Sequence, residues 1–141
     1  MEMTVLTNRL KIGEIAYLSG LSVKTIRYYE DIGLLAPTVE RSSSGYRLFH
    51  EQVLKRLTFI KRAQSLGLSL EEIKPLLARY DQGELPCAEV KQQLQTKIRA
   101  IATQIEALKN HHTQLQAILE LWQEQPSDHQ LSQTICPNIQ V

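Results

Sequence analysis

The chain has 141 residues, 43% of them hydrophobic and 22% charged, with a formal net charge of +1. That length suits one compact domain with an appendage, or two very small units, and the composition is that of a soluble globular protein. No run approaches the length needed to cross a bilayer and no signal-peptide core opens the chain, so a cytoplasmic protein with two reduced thiols and no membrane partner is expected. The small net charge hides a polarity. Residues 1–67 carry ten Lys/Arg against six Asp/Glu, and residues 68–141 carry six against nine. The basic part suits nucleic acid and the acidic part does not.

Residues 1–9 show no pattern and are expected to form a mobile arm. Over residues 11–18, Ile12, Ile15, Ala16 and Leu18 fall at helical spacing, and Ser19-Gly20-Leu21 then breaks the run. Ser22 is a good N-cap, with Leu21 and Ile26 placed as a hydrophobic staple, for a second helix that Gly33 stops. Two short helices across a glycine-containing turn read as a helix-turn-helix. The second has an apolar face of Val23, Ile26 and Tyr29 and an opposite face of Lys24, Thr25, Arg27 and Tyr28. The latter four can donate to phosphates and base edges, as a helix in a major groove must. A solvated face on an ordinary small helix would show the same residues, and short motifs of this kind have many false positives.

Residues 34–49 change character. Thr38-Val39 can be extended, Arg41-Ser42-Ser43-Ser44-Gly45 is turn-forming, and Tyr46-Arg47-Leu48-Phe49 alternates like a strand. The segment reads as a small hairpin, or wing, with Arg41, Tyr46 and Arg47 near its tip. A lone hairpin is marginal in water, so Leu48 or Phe49 must anchor it on neighbouring helices.

An amphipathic helix follows over residues 51–66 through Val53, Leu57, Ile60, Ala63 and Leu66, with Gly67 at its C-terminal cap. Ser69-Leu70-Glu71-Glu72 is a capping box that starts another through Ile73, Leu76 and Leu77, where Pro75 predicts a kink or a displaced boundary. Residues 81–86 read as a linker. Between Pro86 and Pro126 there is neither proline nor glycine, so residues 87–122 are expected to form one helix, roughly 50 Å long at 1.5 Å per residue.

From Ile98 onward the apolar positions of that helix (Ile98, Ile101, Ile105, Leu108, Leu115, Leu119 and Trp122) step by three and four, with His112 in the one polar slot. This heptad seam calls for another helix against it. Cys87 opens the helix and Cys136, the only other cysteine, lies beyond its end. Antiparallel pairing of two copies would bring each Cys87 to the Cys136 end of its partner. His111 and His112 point about 100° apart and cannot share a facing site; His112 reads as a polar register residue. No nucleophile–base pairing, phosphate-binding glycine loop or carboxylate pair stands out, so an enzyme is not expected.

The order helix-turn-helix, wing, helix pair and long helix resembles the MerR family of transcription regulators. The resemblance is carried by Ile12-Gly13-Glu14-Ile15-Ala16, Thr25-Ile26-Arg27-Tyr28-Tyr29-Glu30 with Gly33-Leu34, Gly45-Tyr46-Arg47, and Leu66-Gly67-Leu68-Ser69-Leu70-Glu71-Glu72-Ile73. It implies a mainly α fold: a winged helix-turn-helix domain over residues 10–80, an antiparallel coiled-coil dimerisation helix over 87–123, and an effector loop and tail over 124–141. It further implies a homodimer on a palindromic promoter operator of double-stranded DNA, with Arg27, Tyr28, Tyr46 and Arg47 at the DNA backbone. Effector binding would then distort the DNA so that RNA polymerase engages both promoter elements.

Pro86-Cys87-Ala88-Glu89-Val90-Lys91 and Ile135-Cys136-Pro137-Asn138-Ile139 resemble the metal-sensing branch of that family. There a cysteine before the long helix implies a divalent soft metal (mercury, zinc, cadmium or lead), and a serine implies copper(I). The branch usually has another cysteine at the start of the tail loop, where this chain has Glu124-Gln125-Pro126. Two thiolates, one from each chain, suit mercury(II); zinc prefers four ligands. His129 is the candidate third ligand, although a loop histidine is more often simply exposed. A thiol redox regulator that forms an intersubunit Cys87–Cys136 disulfide is the alternative. An iron–sulfur cluster needs four cysteines and is excluded.

Overall fold

A computed structural model describes residues 9–140. The expected mobile arm lies outside them except at Arg9, which opens a strand instead. The chain divides into two compact units, Met1–Leu94 and Gln95–Val141.

The first unit begins with β1 (Arg9–Lys11), followed by α1 (Ile12–Ser19) and α2 (Val23–Asp31). Gly20 turns the chain between the helices at φ +76°, a conformation open to glycine at little cost, and its N–H bonds the Ala16 carbonyl at 3.0 Å. Ser22 caps α2 as expected, its Oγ accepting from the Thr25 N–H at 3.0 Å. Ile26 and Tyr29 are buried beneath α2. Burial pushes the Tyr29 phenol above its ordinary pKa, and the neutral hydroxyl donates to Gln64 Oε1 at 2.6 Å.

After Gly33 a short 3₁₀ turn (Ala36–Thr38) leads into β2 (Val39–Arg41), the wing tip and β3 (Arg47–His50). β3 is the middle strand of an antiparallel three-stranded sheet, with Leu10 opposite Phe49 on one side and Val39 opposite Phe49 on the other. The wing is therefore not a lone hairpin. β1 completes it, which removes the marginality expected of two strands alone. Phe49, fully buried, is the anchor; Tyr46 belongs to the tip and not to the strand.

α3 (Val53–Ser65) and α4 (Leu70–Asp81) close the core around Leu57, Ile60, Ile73 and Leu76. Ser69 and Glu72 form the expected capping box, at 3.1 and 2.8 Å. Pro75 neither ends α4 nor displaces its boundary. A proline inside a helix costs about 3 kcal/mol, whereas fully burying Ile73 and Leu76 on either side of it contributes about 2 kcal/mol each. Packing wins over propensity here.

Arg56, buried on α3, ties three segments together. Its Nε donates to the Leu34 carbonyl after α2, and its two Nη atoms grip Asp81 at the end of α4 at 2.6 and 2.9 Å. Such a bidentate pair fixes orientation as well as distance.

α5 (Cys87–Glu120) starts inside this unit. Val90 and Leu94 pack against the core, Gln93 Nε2 donates to the Glu72 carbonyl at 3.0 Å, and Glu89 pairs with Arg79 at 3.0 Å. The first two turns of the long helix are thus part of the head, not an independent rod.

In the second unit α5 continues to Glu120, two residues short of the expected end, and buries no side chain. Ile98, Ile101, Ile105, Leu108, Leu115 and Leu119 are 48–67% exposed. The tail is more ordered than a plain loop. It contains α6 (Asp128–Gln133), capped by Ser127, whose Oγ accepts from the Gln130 N–H at 3.2 Å while Gln130 Oε1 accepts from the Ser127 N–H at 2.8 Å. Among the described residues no helix is long and apolar enough to cross a membrane.

Candidate nucleic-acid interface and effector residues

The buried Ile26 and Tyr29 turn the opposite side of α2 outward, so Lys24, Arg27 and Tyr28 are exposed and Thr25 is half-buried. The wing tip sits beside this face. An open groove of about 810 Å³ is lined by Lys11, Ile12, Gly13 and Glu14 from the start of α1, Arg27 from α2, and Arg41, Tyr46 and Arg47 from the wing. Four of the seven sequence-predicted DNA contacts therefore meet in one groove. The other three, Lys24, Thr25 and Tyr28, are carried on α2 with Arg27.

These cations differ in what already holds them. Arg47 is half-buried; its Nε bonds Glu30 of α2 and its Nη2 lies 3.6 Å from Asp31. Its position is thus fixed by acids on α2, and it clamps the wing to that helix. Arg41 Nη1 donates to the Gly45 carbonyl at 3.0 Å across the wing tip, where Gly45 takes φ +90°. Lys24, Arg27 and Lys11 have no acidic partner among the described residues. Lys11 Nζ stands 5.2 Å from the Tyr46 ring centre, a cation–π distance.

Sequence reading passed over Lys11, because its place beside the wing depends on β1 pairing with β3. A lysine that contacts phosphate without reading bases weakens binding to all sequences alike when removed. Lys11→Gln should therefore flatten the slope of log affinity against log salt by about 0.9 for each protomer's contact. Operator titrations at several salt concentrations measure this, and an unchanged slope would remove Lys11 from the interface.

Cys87 does not line that groove. Cys87, exposed, is the first residue of α5. It borders an apolar cavity of about 880 Å³ whose walls include Pro37, Phe59, Leu77, Tyr80, Leu85 and Val90, with the Arg56–Asp81 pair among the lining. Cys136 is half-buried, and its main chain is fully engaged. Its N–H donates to Gln140 Oε1 at 2.9 Å and its carbonyl accepts from the Ile139 and Gln140 N–H groups, both at 3.2 Å. His129 lies exposed in the first turn of α6.

Both thiols are free. Among the described residues no three His, Cys, Asp or Glu side chains of one chain come together as a metal-holding group. As a donor set, two free thiols match a soft ion satisfied by few ligands and fall short of the four that zinc prefers.

A helix-turn-helix whose outer helix shares a basic groove with a three-stranded wing, followed by a long helix, defines a winged helix-turn-helix DNA-binding protein. Residues 10–80 match the family described as MerR HTH family regulatory protein, and residues 54–118 match that described as MerR, DNA binding. The mercuric resistance operon regulatory protein of Bacillus cereus is 41% identical over 112 residues, 79% of this chain and 84% of that one. The structure of PbrR691 from Ralstonia metallidurans CH34 in complex with lead(II) superposes with a TM-score of 0.70 at 33% identity, covering 84% of this chain and 91% of that chain. That of MerR from Bacillus megaterium MB1 in complex with mercury(II) gives 0.59 at 35% identity, covering 92% and 96%. The chain belongs to the MerR family of helix-turn-helix transcription regulators.

Proposed function

We propose that the protein is a metal-responsive regulator that binds a palindromic promoter as a homodimer and activates transcription when a divalent soft metal binds between Cys87 of one protomer and Cys136 of the other. Residues 10–80 read DNA, residues 87–123 pair the protomers, and residues 124–141 carry the effector ligands. Lys24, Thr25, Arg27, Tyr28, Arg41, Tyr46 and Arg47 face DNA, and Arg47 also holds the wing against α2.

The exposed seam of α5 carries this reading. A narrow apolar stripe on a 34-residue helix with no buried side chain needs a second helix. Two antiparallel registers fill it. One stacks Ile101 on the partner's Leu119 and Ile105 on the partner's Leu115; the other stacks Ile98 on the partner's Leu115 and Ile105 on the partner's Leu108. In the first the partner's Glu120 falls opposite residue 100, in the second opposite residue 93, so Cys87 lies beyond the end of the partner's α5 in both. Both leave Cys87 past the helix end from which the partner's tail starts, and that tail carries His129, the proposed third ligand, and Cys136.

A bound metal supplies a bridge between the two protomers at the start of α5. There Val90, Leu94, Glu89 and Gln93 already join that helix to the DNA-reading head. Strain at Cys87 is thus transmitted to the head as a change in half-site geometry, which the DNA takes up as bending or untwisting. RNA polymerase on the same promoter reads the result. A relative named for mercury and structures holding lead or mercury support the class of metal, and the count of two thiols favours mercury(II) over zinc.

Titrating transcription from the chain's own promoter with mercury(II), lead(II), cadmium(II), zinc(II) and copper(I) in turn tests this. Mercury(II) should act at the lowest free concentration. Response to copper(I) alone, or to no metal, would contradict it.

A further inference from the structure

The tail around Cys136 is built before any effector arrives. Asn138 uses both ends of its carboxamide on the main chain of one residue: Oδ1 accepts from the Gln123 N–H at 2.8 Å and Nδ2 donates to the Gln123 carbonyl at 3.0 Å. The side chain thereby acts as a strand-like bridge between the end of the long helix and the far side of the tail. Gln140 supplies the second brace, its Oε1 accepting from both the Ile135 and Cys136 N–H groups at 2.9 Å. Neither bond pair involves the Cys136 thiol, which stays free.

We propose that Asn138 and Gln140 are positioning residues for the effector: they close the tail into a pre-formed loop and hold the Cys136 backbone, so that the metal does not have to order the segment itself. The inference rests on the metal-sensing reading given above. An unbraced loop of this length would lose conformational freedom on binding, and that loss would subtract from affinity. Ile135 is 92% exposed, so burial of its side chain gives the loop no hold in its place. The two carboxamides supply the order. Groups that orient a metal ligand without touching the metal typically change affinity by about 10–100-fold when removed.

The test uses the full-length protein and mercury(II) alone, with affinity measured by competition against a thiol chelator and amide exchange recorded on the metal-free protein. Asn138→Ala should weaken mercury(II) by about tenfold or more, with operator affinity and far-UV circular dichroism unchanged. Asn138→Asp, which keeps the oxygen that accepts from Gln123 and loses the donor, should fall between. Gln140→Ala should expose the Ile135 and Cys136 amides to exchange and weaken mercury(II) likewise. Wild-type affinity in both alanine variants, or unprotected Gln123 and Cys136 amides in the wild-type protein, would overturn the positioning role. If the wild type binds mercury(II) no better than Cys136→Ser, the metal-sensing reading itself fails, and the inference with it.

Discussion

Cys87→Ser and Cys136→Ser should each abolish metal-dependent activation while leaving operator affinity of the metal-free protein within about twofold. The two-thiol site has no spare ligand, and a serine hydroxyl is a poor ligand for a soft metal. Loss of either sulfur therefore removes the bridge and not merely part of its strength. Neither residue lies in the core: Cys87 is exposed at the start of α5 and Cys136 half-buried in the tail. Cys87 does not border the basic groove of Lys11, Arg27, Arg41 and Tyr46. Operator binding and metal response should separate cleanly in transcription assays paired with operator titrations. A serine variant that still activates fully with metal would exclude that cysteine from the site. Replacing His129 by alanine is expected to do less, since the two sulfurs alone satisfy mercury(II).

Charge placed in the seam should act on the other half of the function. Ile105→Glu with Leu108→Glu sets carboxylates in the seam, where Ile105 meets the partner's Leu115 in the first register and the partner's Leu108 in the second. It removes four apolar side chains per dimer, each contributing about 1.5–3 kcal/mol when buried, and in the second register it also sets the new carboxylates against each other. The protein should sediment as a monomer. A monomer engages one half-site, so the advantage of linked binding is lost and operator affinity should fall by about 10²–10⁴-fold. The head should stay folded, because its core of Ile26, Phe49, Leu57, Ile60 and Ile73 lies within the first unit. Sedimentation velocity and operator titration together decide this. A dimer that persists with intact affinity would mean that the protomers pair through another face.

The parts legible in the sequence were those specified locally. Ser22 and the Ser69/Glu72 pair announce helix starts because a capping side chain bonds a backbone N–H two or three residues away. The seam from Ile98 to Leu119 is legible for the same reason, since periodicity along one helix needs no tertiary knowledge. What escaped depended on partners distant in sequence. Arg9-Leu10-Lys11 is a strand only because β3 lies beside it, so neither the three-stranded wing nor Lys11 in the groove was readable. Pro75 reads as a breaker until the burial around it is known. That Arg47, read as a DNA contact, also ties the wing to Glu30 and Asp31 of α2 was not readable. In the tail, Asn138 reaches back fifteen residues to Gln123, and only its place after Cys136-Pro137, in a short polar tail, hinted at structure there.

The claim on which the rest depends is that each site takes one sulfur from each protomer, and a mixed dimer tests it most directly. Co-expression of differently tagged Cys87→Ser and Cys136→Ser chains yields a heterodimer with one protomer of each kind. If the ligands come from different protomers, the intact Cys87 and the intact Cys136 meet at one end. The heterodimer then binds one mercury(II) tightly, where the wild-type dimer binds two and either mutant homodimer none. If both ligands come from the same protomer, the heterodimer has no complete site and binds no metal tightly, and that result would contradict the account.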